Sequence, residues 1–308
     1  MAIPPPPTAH RTERFHALLV DSSPELNQLR RSLFSESEWD VAIAADNKQA
    51  LEMAKARPFD LIITGERSTS QEDIELLGRL RLVRPHTRLI ILTEEFVPGD
   101  VLASIQARAF SYFSRPFSTD KLAEIIRIAM EEPFWDDGIE ILSATPNWVS
   151  LCVRCDLMTA NRLLQFFREA SRLPAAETEE VATAFREILL NAMEHGAHFD
   201  PTQHVEVCYI RTRRAVLCKV KDPGKGFSLD EIKHSAFANP PEDPFRHMAE
   251  REAKGIRPGG FGLLMVKKLV DDVIFSEKGN EVMLVKYLDH AVDKAETPKE
   301  NKPGQEST

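Results

Sequence analysis

No run of apolar residues approaches the ~20 needed to cross a bilayer, so no membrane partner is expected. The start, Met1-Ala2-Ile3 followed by four prolines, has neither a charged n-region nor an apolar h-region, and no leader is expected there. Together these absences predict a cytoplasmic protein. Basic residues are also short: 39 Lys and Arg face 48 Asp and Glu, a net charge of -9. Such a chain lacks the basic surface that phosphate-backbone binding requires, which sets nucleic acid aside as a main partner. Cysteine is scarce, with Cys152, Cys155, Cys208 and Cys218 making the whole set of 4. The Cys-x-x-Cys at 152–155 invites a redox or zinc reading. Its surroundings, Val149-Ser-Leu-Cys-Val-Arg-Cys155, read as a strand, and residues three apart on a strand point to opposite faces. No second pair of ligands has zinc spacing, so ordinary reduced thiols are expected.

What remains is a soluble globular composition, 43% hydrophobic and 28% charged over 308 residues, long enough for two domains. Over about 15–131, short apolar runs alternate with amphipathic stretches. The strand candidates are Ala17–Val20, Val41–Ile43, Leu61–Ile63, Leu89–Leu92 and Ala109–Phe113. Helices are predicted between them, among others over Pro24–Leu33, Lys48–Lys55, Ile74–Leu82 and Thr119–Met130. Wholly apolar strands separated by helices predict a doubly wound (βα)5 parallel sheet covered on both faces.

This half resembles the receiver domain of bacterial response regulators. Leu18-Leu-Val-Asp21 is similar to the first strand with its metal-binding acid, and Asp60-Leu-Ile-Ile-Thr-Gly65 to the third strand. Thr93 stands at the switch threonine, and Arg115-Pro116 at the family's Lys-Pro. The departures carry the function. The phosphoacceptor aspartate of the family falls on Gly65, the second acid beside Asp21 is Ser22, and the lysine is Arg115. Phosphotransfer to such a domain needs a carboxylate nucleophile and a cluster of acids around Mg²⁺. Glu66 is the nearest acid, and strand alternation turns it to the other face. A receiver fold kept as a docking or dimerisation surface is therefore expected, with no aspartyl-phosphate switch.

Pro133 and Asp137-Gly138 mark a short linker over 132–138, in which Phe134 and Trp135 are open between an inter-domain seam and an ordinary buried pair. The second half, 139–289, opens with two strands around Thr145-Pro146-Asn147 and a helix over Leu157–Ser171. A longer helix follows from about Glu177 to Gly196. On it Val181, Phe185, Ile188 and Ala192 form an apolar stripe, while Glu187, Asn191 and His195 form a polar row beside it. Strands over His204–Ile210 and Ala215–Lys221 lead into Asp222-Pro-Gly224-Lys-Gly226-Phe227. The proline-rich stretch 228–258 is too long for an ordinary connection and is expected to be a lid. Gly259-Gly260-Phe261-Gly262-Leu263 then opens a helix, and Val273–Phe275 with Glu281–Tyr287 forms a closing hairpin. The tails 1–13 and 290–308 are polar or proline-rich and expected to be disordered. The fold class is α/β throughout, the second half a two-layer sandwich on a mixed, mostly antiparallel sheet.

The three polar segments, in this order, resemble the GHKL ATPase superfamily, and within it the serine-kinase anti-sigma factors. The resemblance implies ATP and Mg²⁺ as cofactors. It implies Glu187 as general base, Asn191 as Mg²⁺ ligand and Asp222 as acceptor of the adenine amino group. Gly224 and Gly226, with Phe227, allow close backbone approach to the nucleotide. Gly259, Gly260, Phe261, Gly262 and Leu263 supply amides near the phosphates. His195 is open between lining the pocket and capping the helix, and Lys225 and Arg257 both stand as candidates for a phosphate contact. A carboxylate suits removal of a proton from an attacking hydroxyl. Sensor histidine kinases usually carry Asn, His or Gln at the position of Glu187 and need a phosphoacceptor His on a dimerisation helix. The resemblance further implies an anti-anti-sigma-like substrate, a sigma factor or similar regulator as sequestered partner, and a homodimer. The alternatives are a nucleotide-gated binding protein without phosphotransfer and an atypical histidine-kinase-like ATPase.

Overall fold

The computed structural model describes residues 14–21, 23–65, 68–131, 135–145, 147–226 and 262–288. Its first half alternates β1 (Phe15–Val20), α1 (Pro24–Leu33), β2 (Trp39–Ala44), α2 (Asn47–Ala56), β3 (Leu61–Thr64), α3 (Ser70–Val83), β4 (Arg88–Thr93), α4 (Pro98–Gln106), β5 (Ser111–Ser114) and α5 (Thr119–Glu131). All strand pairs are parallel, in the order β2-β1-β3-β4-β5. Alternating side chains feed two cores, as strand geometry requires. Leu18, Val20, Ile62 and Ile91 pack with Leu51, Leu77 and Val101. Ala17, Leu19, Leu61 and Ile63 pack with Leu26, Leu122 and Ile126.

Local chemistry sets several helix starts. The Ser23 hydroxyl caps α1 by accepting from the Leu26 amide at 3.2 Å. At α3, Thr69 and Glu72 exchange backbone–side-chain hydrogen bonds at 2.8 and 3.2 Å, a reciprocal capping box. That box starts α3 at Ser70, four residues before the Ile74 expected from apolar spacing alone. Strand β5 begins at Ser111, not Ala109, because the chain turns at Arg108 with φ 63° before it enters the sheet.

The second half contains β6 (Ile139–Thr145), β7 (Trp148–Arg154), α6 (Leu157–Ser171), α7 (Ala175–Asn191), β8 (His204–Arg211), β9 (Ala215–Lys221), α8 (Gly262–Leu269), β10 (Asp272–Phe275) and β11 (Glu281–Tyr287). The order is β10-β11-β9-β8-β7-β6. The sheet expected as mixed and mostly antiparallel is antiparallel in every described pairing. Leu151, Val153, Val205, Val207, Val220 and Leu284 are buried in one cluster with Leu163, Val181, Phe185 and Ile188, so α6 and α7 cover one face of it. Helix α8 ends at Leu269, whereas the sequence predicts a helix over Leu263–Asp272, and Asp272 already belongs to β10. Helix α7 runs on into a π-helical turn, Ala192–Gly196.

The cysteines are free thiols, Cys152 on β7 and Cys155 buried just after it. Among the described residues no cluster of His, Cys, Asp and Glu is built for a metal, and no helix is long and apolar enough to cross a membrane. The tails 1–13 and 290–308, the stretch 228–258 expected as a lid, and Phe134 lie outside the described residues.

The halves are joined along β5, the edge strand of the parallel sheet. Edge strands leave backbone groups open, and one face of α6 closes them. Arg162 donates through Nε to the Phe110 carbonyl at 2.9 Å and through Nη2 to that of Ala109 at 3.0 Å. Gln165 donates to the Tyr112 carbonyl at 3.2 Å. Glu169 accepts from the Ser114 amide at 3.1 Å and its hydroxyl at 2.6 Å. Arg162 also pairs with Asp137 at 3.0 Å, the side chains 1% and 5% exposed. Trp135 is buried here, its ring 5.0 Å from the Arg162 guanidinium and 5.8 Å from Phe110. Lys121 of α5 pairs with Glu179 of α7. Burial pushes the Glu169 carboxyl up to about 7, against the pull of the Ser114 hydrogen bonds.

Candidate functional site

The polar row on α7 and the turn after β9 meet through glycines. Asp222 follows the last residue of β9 and is pinned to the β10–β11 hairpin: its amide donates to the Asn280 carbonyl at 2.9 Å, and its carbonyl accepts from Asn280 Nδ2 at 3.0 Å. The Gly224 amide donates to Asp222 Oδ1 at 2.8 Å. Partial burial raises the Asp222 carboxyl above its ordinary range, and that Gly224 bond opposes the shift.

Gly196, at the end of the π-helical turn, presses against the same carboxylate. A Cβ on it would stand 2.3 Å from Asp222 Cγ, and one on Gly224 would stand 3.0 Å from Gly196 Cα. Asp222, Gly196 and Gly224 thus form one close-packed group, with no room for a side chain at either glycine. Sequence reasoning missed Gly196 as part of it, reading that glycine only as a helix stop. Gly226 has φ 78°, and a side chain there would meet the Lys278 carbonyl at 1.9 Å.

Immediately before the π-helical segment, Asn191 Nδ2 donates to Glu187 Oε1 at 3.3 Å. Gly262, the first residue of α8, lies against the same group: a Cβ there would fall 1.8 Å from Glu187 Oε1. The Glu187 carboxylate therefore lies in close contact with Gly262, leaving no room for a side chain there. Leu263 follows, half-buried on α8. The structure brings Glu187, Asn191 and Gly262 into one group and Asp222, Gly224 and Gly196 into a second, linked by one helix.

His195 departs from the expected row. It lies inside the π-helical turn and is exposed, because the wider turn takes an extra residue and breaks the four-residue spacing. Phe227, Gly259, Gly260 and Phe261 lie outside the described residues, as does Arg257. The residues present suit a magnesium nucleotide. Asp222 is an acceptor suited to an amino group, and Glu187 with Asn191 provides hard oxygen donors.

At the end of the parallel sheet the geometry is of a different kind. Asp21 has φ 143°, and its Oδ1 accepts from the Ser23 amide at 2.9 Å. A Cβ on Gly65 would stand 2.3 Å from Asp21 Cβ and 2.8 Å from the Val20 carbonyl. The space in which a residue-65 side chain begins is thus occupied. Thr93 turns its hydroxyl to the Glu95 carbonyl at 3.3 Å, and Arg115 lies 5.1 Å from the Phe117 ring. Ser22 and Glu66 lie outside the described residues.

Residues 154–286 match the family model of the histidine kinase-like ATPase domain, and residues 17–127 match that of the response regulator receiver domain. The chain therefore joins a receiver domain to a histidine kinase-like ATPase domain. Among curated relatives, it is 28% identical over 117 residues to the transcriptional regulatory protein GlrR of Escherichia coli, covering 38% of this chain and 26% of that one. It is 27% identical over 111 residues to the serine-protein kinase RsbW of Oceanobacillus iheyensis, covering 36% of this chain and 65% of that one. A receiver domain protein (CheY-like) from Methanospirillum hungatei is similar in structure, with 23% identity, a TM-score of 0.34, and coverage of 37% of this chain and 92% of that one. The chain spans about a quarter of the length of GlrR and just under two thirds of RsbW.

Proposed function

We propose that the chain is an ATP-dependent protein serine/threonine kinase of the anti-sigma type, cytoplasmic and governed by a receiver domain that does not accept phosphate. The observation that carries this reading is the Glu187–Asn191 pair held against Gly262 at the start of α8. When bound, magnesium–ATP supplies the γ-phosphoryl group and neutralises its charge. Glu187 takes up the proton of the attacking serine or threonine hydroxyl at a carboxylate oxygen. Asn191 orients that carboxylate through Nδ2, which leaves its own Oδ1 for the divalent ion. Asp222 accepts from the base amino group, its carboxylate held in place by the Gly224 amide and by close packing on Gly196.

The likeness to a serine-protein kinase supports hydroxyl attack, and an acid at position 187 gives the proton an acceptor. The substrate in this reading is an anti-anti-sigma-like protein, and the sequestered partner a sigma factor or similar regulator. The test is incubation of the whole chain with γ-labelled ATP and its antagonist protein. Label passes to the antagonist, and Glu187→Gln abolishes the transfer while nucleotide still binds. Tight antagonist binding without label would instead support a nucleotide-gated binding protein.

A further inference from the structure

The seam between the two domains encloses an apolar cavity that the ATP reading does not use. Val101, Leu102 and Ile105 of α4 form one wall, and Phe166, Phe167 and Phe185 the other. Its volume is about 60 Å³. One water-sized group needs ~10–15 Å³, so the space takes roughly four to six such groups. Water is poorly held there. The Tyr209 hydroxyl hydrogen is shared between the Ala170 and Ser171 carbonyls, each at 3.3 Å, and burial keeps the Cys218 thiol protonated. An apolar guest gains contacts with the lining that water cannot make.

Among the described residues of the lining one is charged, Arg172. It follows the last turn of α6 in a left-handed conformation, φ 53°, and is exposed at the rim, with its guanidinium 5.9 Å from the Phe96 ring. A cation beside an apolar hole fits a guest with an anionic head and an apolar body. We propose that this cavity binds a small monocarboxylic acid, short aliphatic or single-ring, with its apolar part in the seam and its carboxylate on Arg172.

Both domains line the cavity, so a guest ties their relative positions to its own concentration. Phe185 stands two residues before Glu187 on α7 and stacks on Phe167 at 5.1 Å between centroids. Occupancy therefore touches the helix that holds the candidate base, and gives a receiver with Gly65 at its acceptor position a chemical input of another kind. That link to catalysis rests on the proposed kinase reading, whereas binding itself does not.

The test uses the full chain with hexanoate, hexanol and hexylamine, read by thermal unfolding and by calorimetry. Hexanoate at about five times its Kd raises the midpoint by about 2 °C. Arg172→Gln weakens hexanoate about tenfold and leaves hexanol unchanged. Leu102→Trp, which fills the cavity from the receiver side, removes both responses. Ala170→Val fills it from the other side and serves if the first variant fails to fold. The proposal is overturned if hexanoate gives no shift, if hexylamine binds as well, or if a folded filling variant keeps the response. Because each readout is binding, these outcomes stand whether or not label reaches a protein substrate.

Discussion

Replacing Arg162 by methionine tests how the two domains are held together. The guanidinium donates to the Phe110 and Ala109 carbonyls at 2.9 and 3.0 Å and pairs with Asp137 at 3.0 Å. Methionine fills much of the same volume and supplies none of these donors. Two carbonyls and a carboxylate only 5% exposed are then left in the seam. Removing one member of a buried ion pair costs about 3–5 kcal/mol, mostly because the surviving charge stays buried. The double variant Arg162→Met, Asp137→Asn removes that charge and recovers ~1–3 kcal/mol of the loss. Urea unfolding followed by Trp135 fluorescence, with Trp39 and Trp148 replaced by phenylalanine, reads the seam directly. Trp135 is the informative probe because it lies against both Arg162 and Phe110. A single-variant loss under ~1 kcal/mol, or a double variant as unstable as the single, would refute the reasoning.

Glu169 makes stability depend on pH. Its folded carboxyl titrates at about 7, above the ordinary 4.5, so between those values the folded state binds more protons and stability falls as pH rises. The drop is roughly 3 kcal/mol at most, and urea titrations from pH 5 to 8 should find it flattened in Glu169→Gln. Gly65→Asp should gain no phosphate from acetyl phosphate, and its Cβ clash with Asp21 and the Val20 carbonyl should destabilise the chain by about 1–3 kcal/mol, read by thermal unfolding and intact mass. Gly196→Ala drives a methyl into the Asp222 carboxylate and should weaken nucleotide binding at least about tenfold, or ~1.4 kcal/mol, in calorimetry, while Gly99→Ala, in open space, leaves it unchanged.

Much of this arrangement was legible in the sequence because two strong periodicities run through it. Apolar runs placed β1 to β4 and the 3.6-residue stripe placed α7, since burial on both faces dictates residue type. The Glu187–Asn191 pair followed from helical spacing, and the structure keeps it as a hydrogen bond. His195 did not follow, because a π-helical turn shifts register by one residue and no residue type announces it. Gly196 was hidden for a related reason: a glycine ends many helices, and only the approach of Asp222 gives this one a second task. The seam was legible only at Trp135, which the linker left open between an inter-domain seam and an ordinary buried pair and which is buried there. Arg162, Gln165 and Glu169 gave no such signal, because most of their partners across the seam are backbone groups, which carry no side-chain signature.

The row of α6 side chains along β5 bears on how such a protein can be inherited or re-engineered. A receiver imported from elsewhere brings an edge strand of the usual chemistry, yet it must also present carbonyls and an amide at the intervals that Arg162, Gln165 and Glu169 span. Cutting the chain near 135 strands a charged guanidinium on one fragment and a row of naked peptide groups on the other. Swapping modules at this joint is therefore a matter of replacing a lock together with its key.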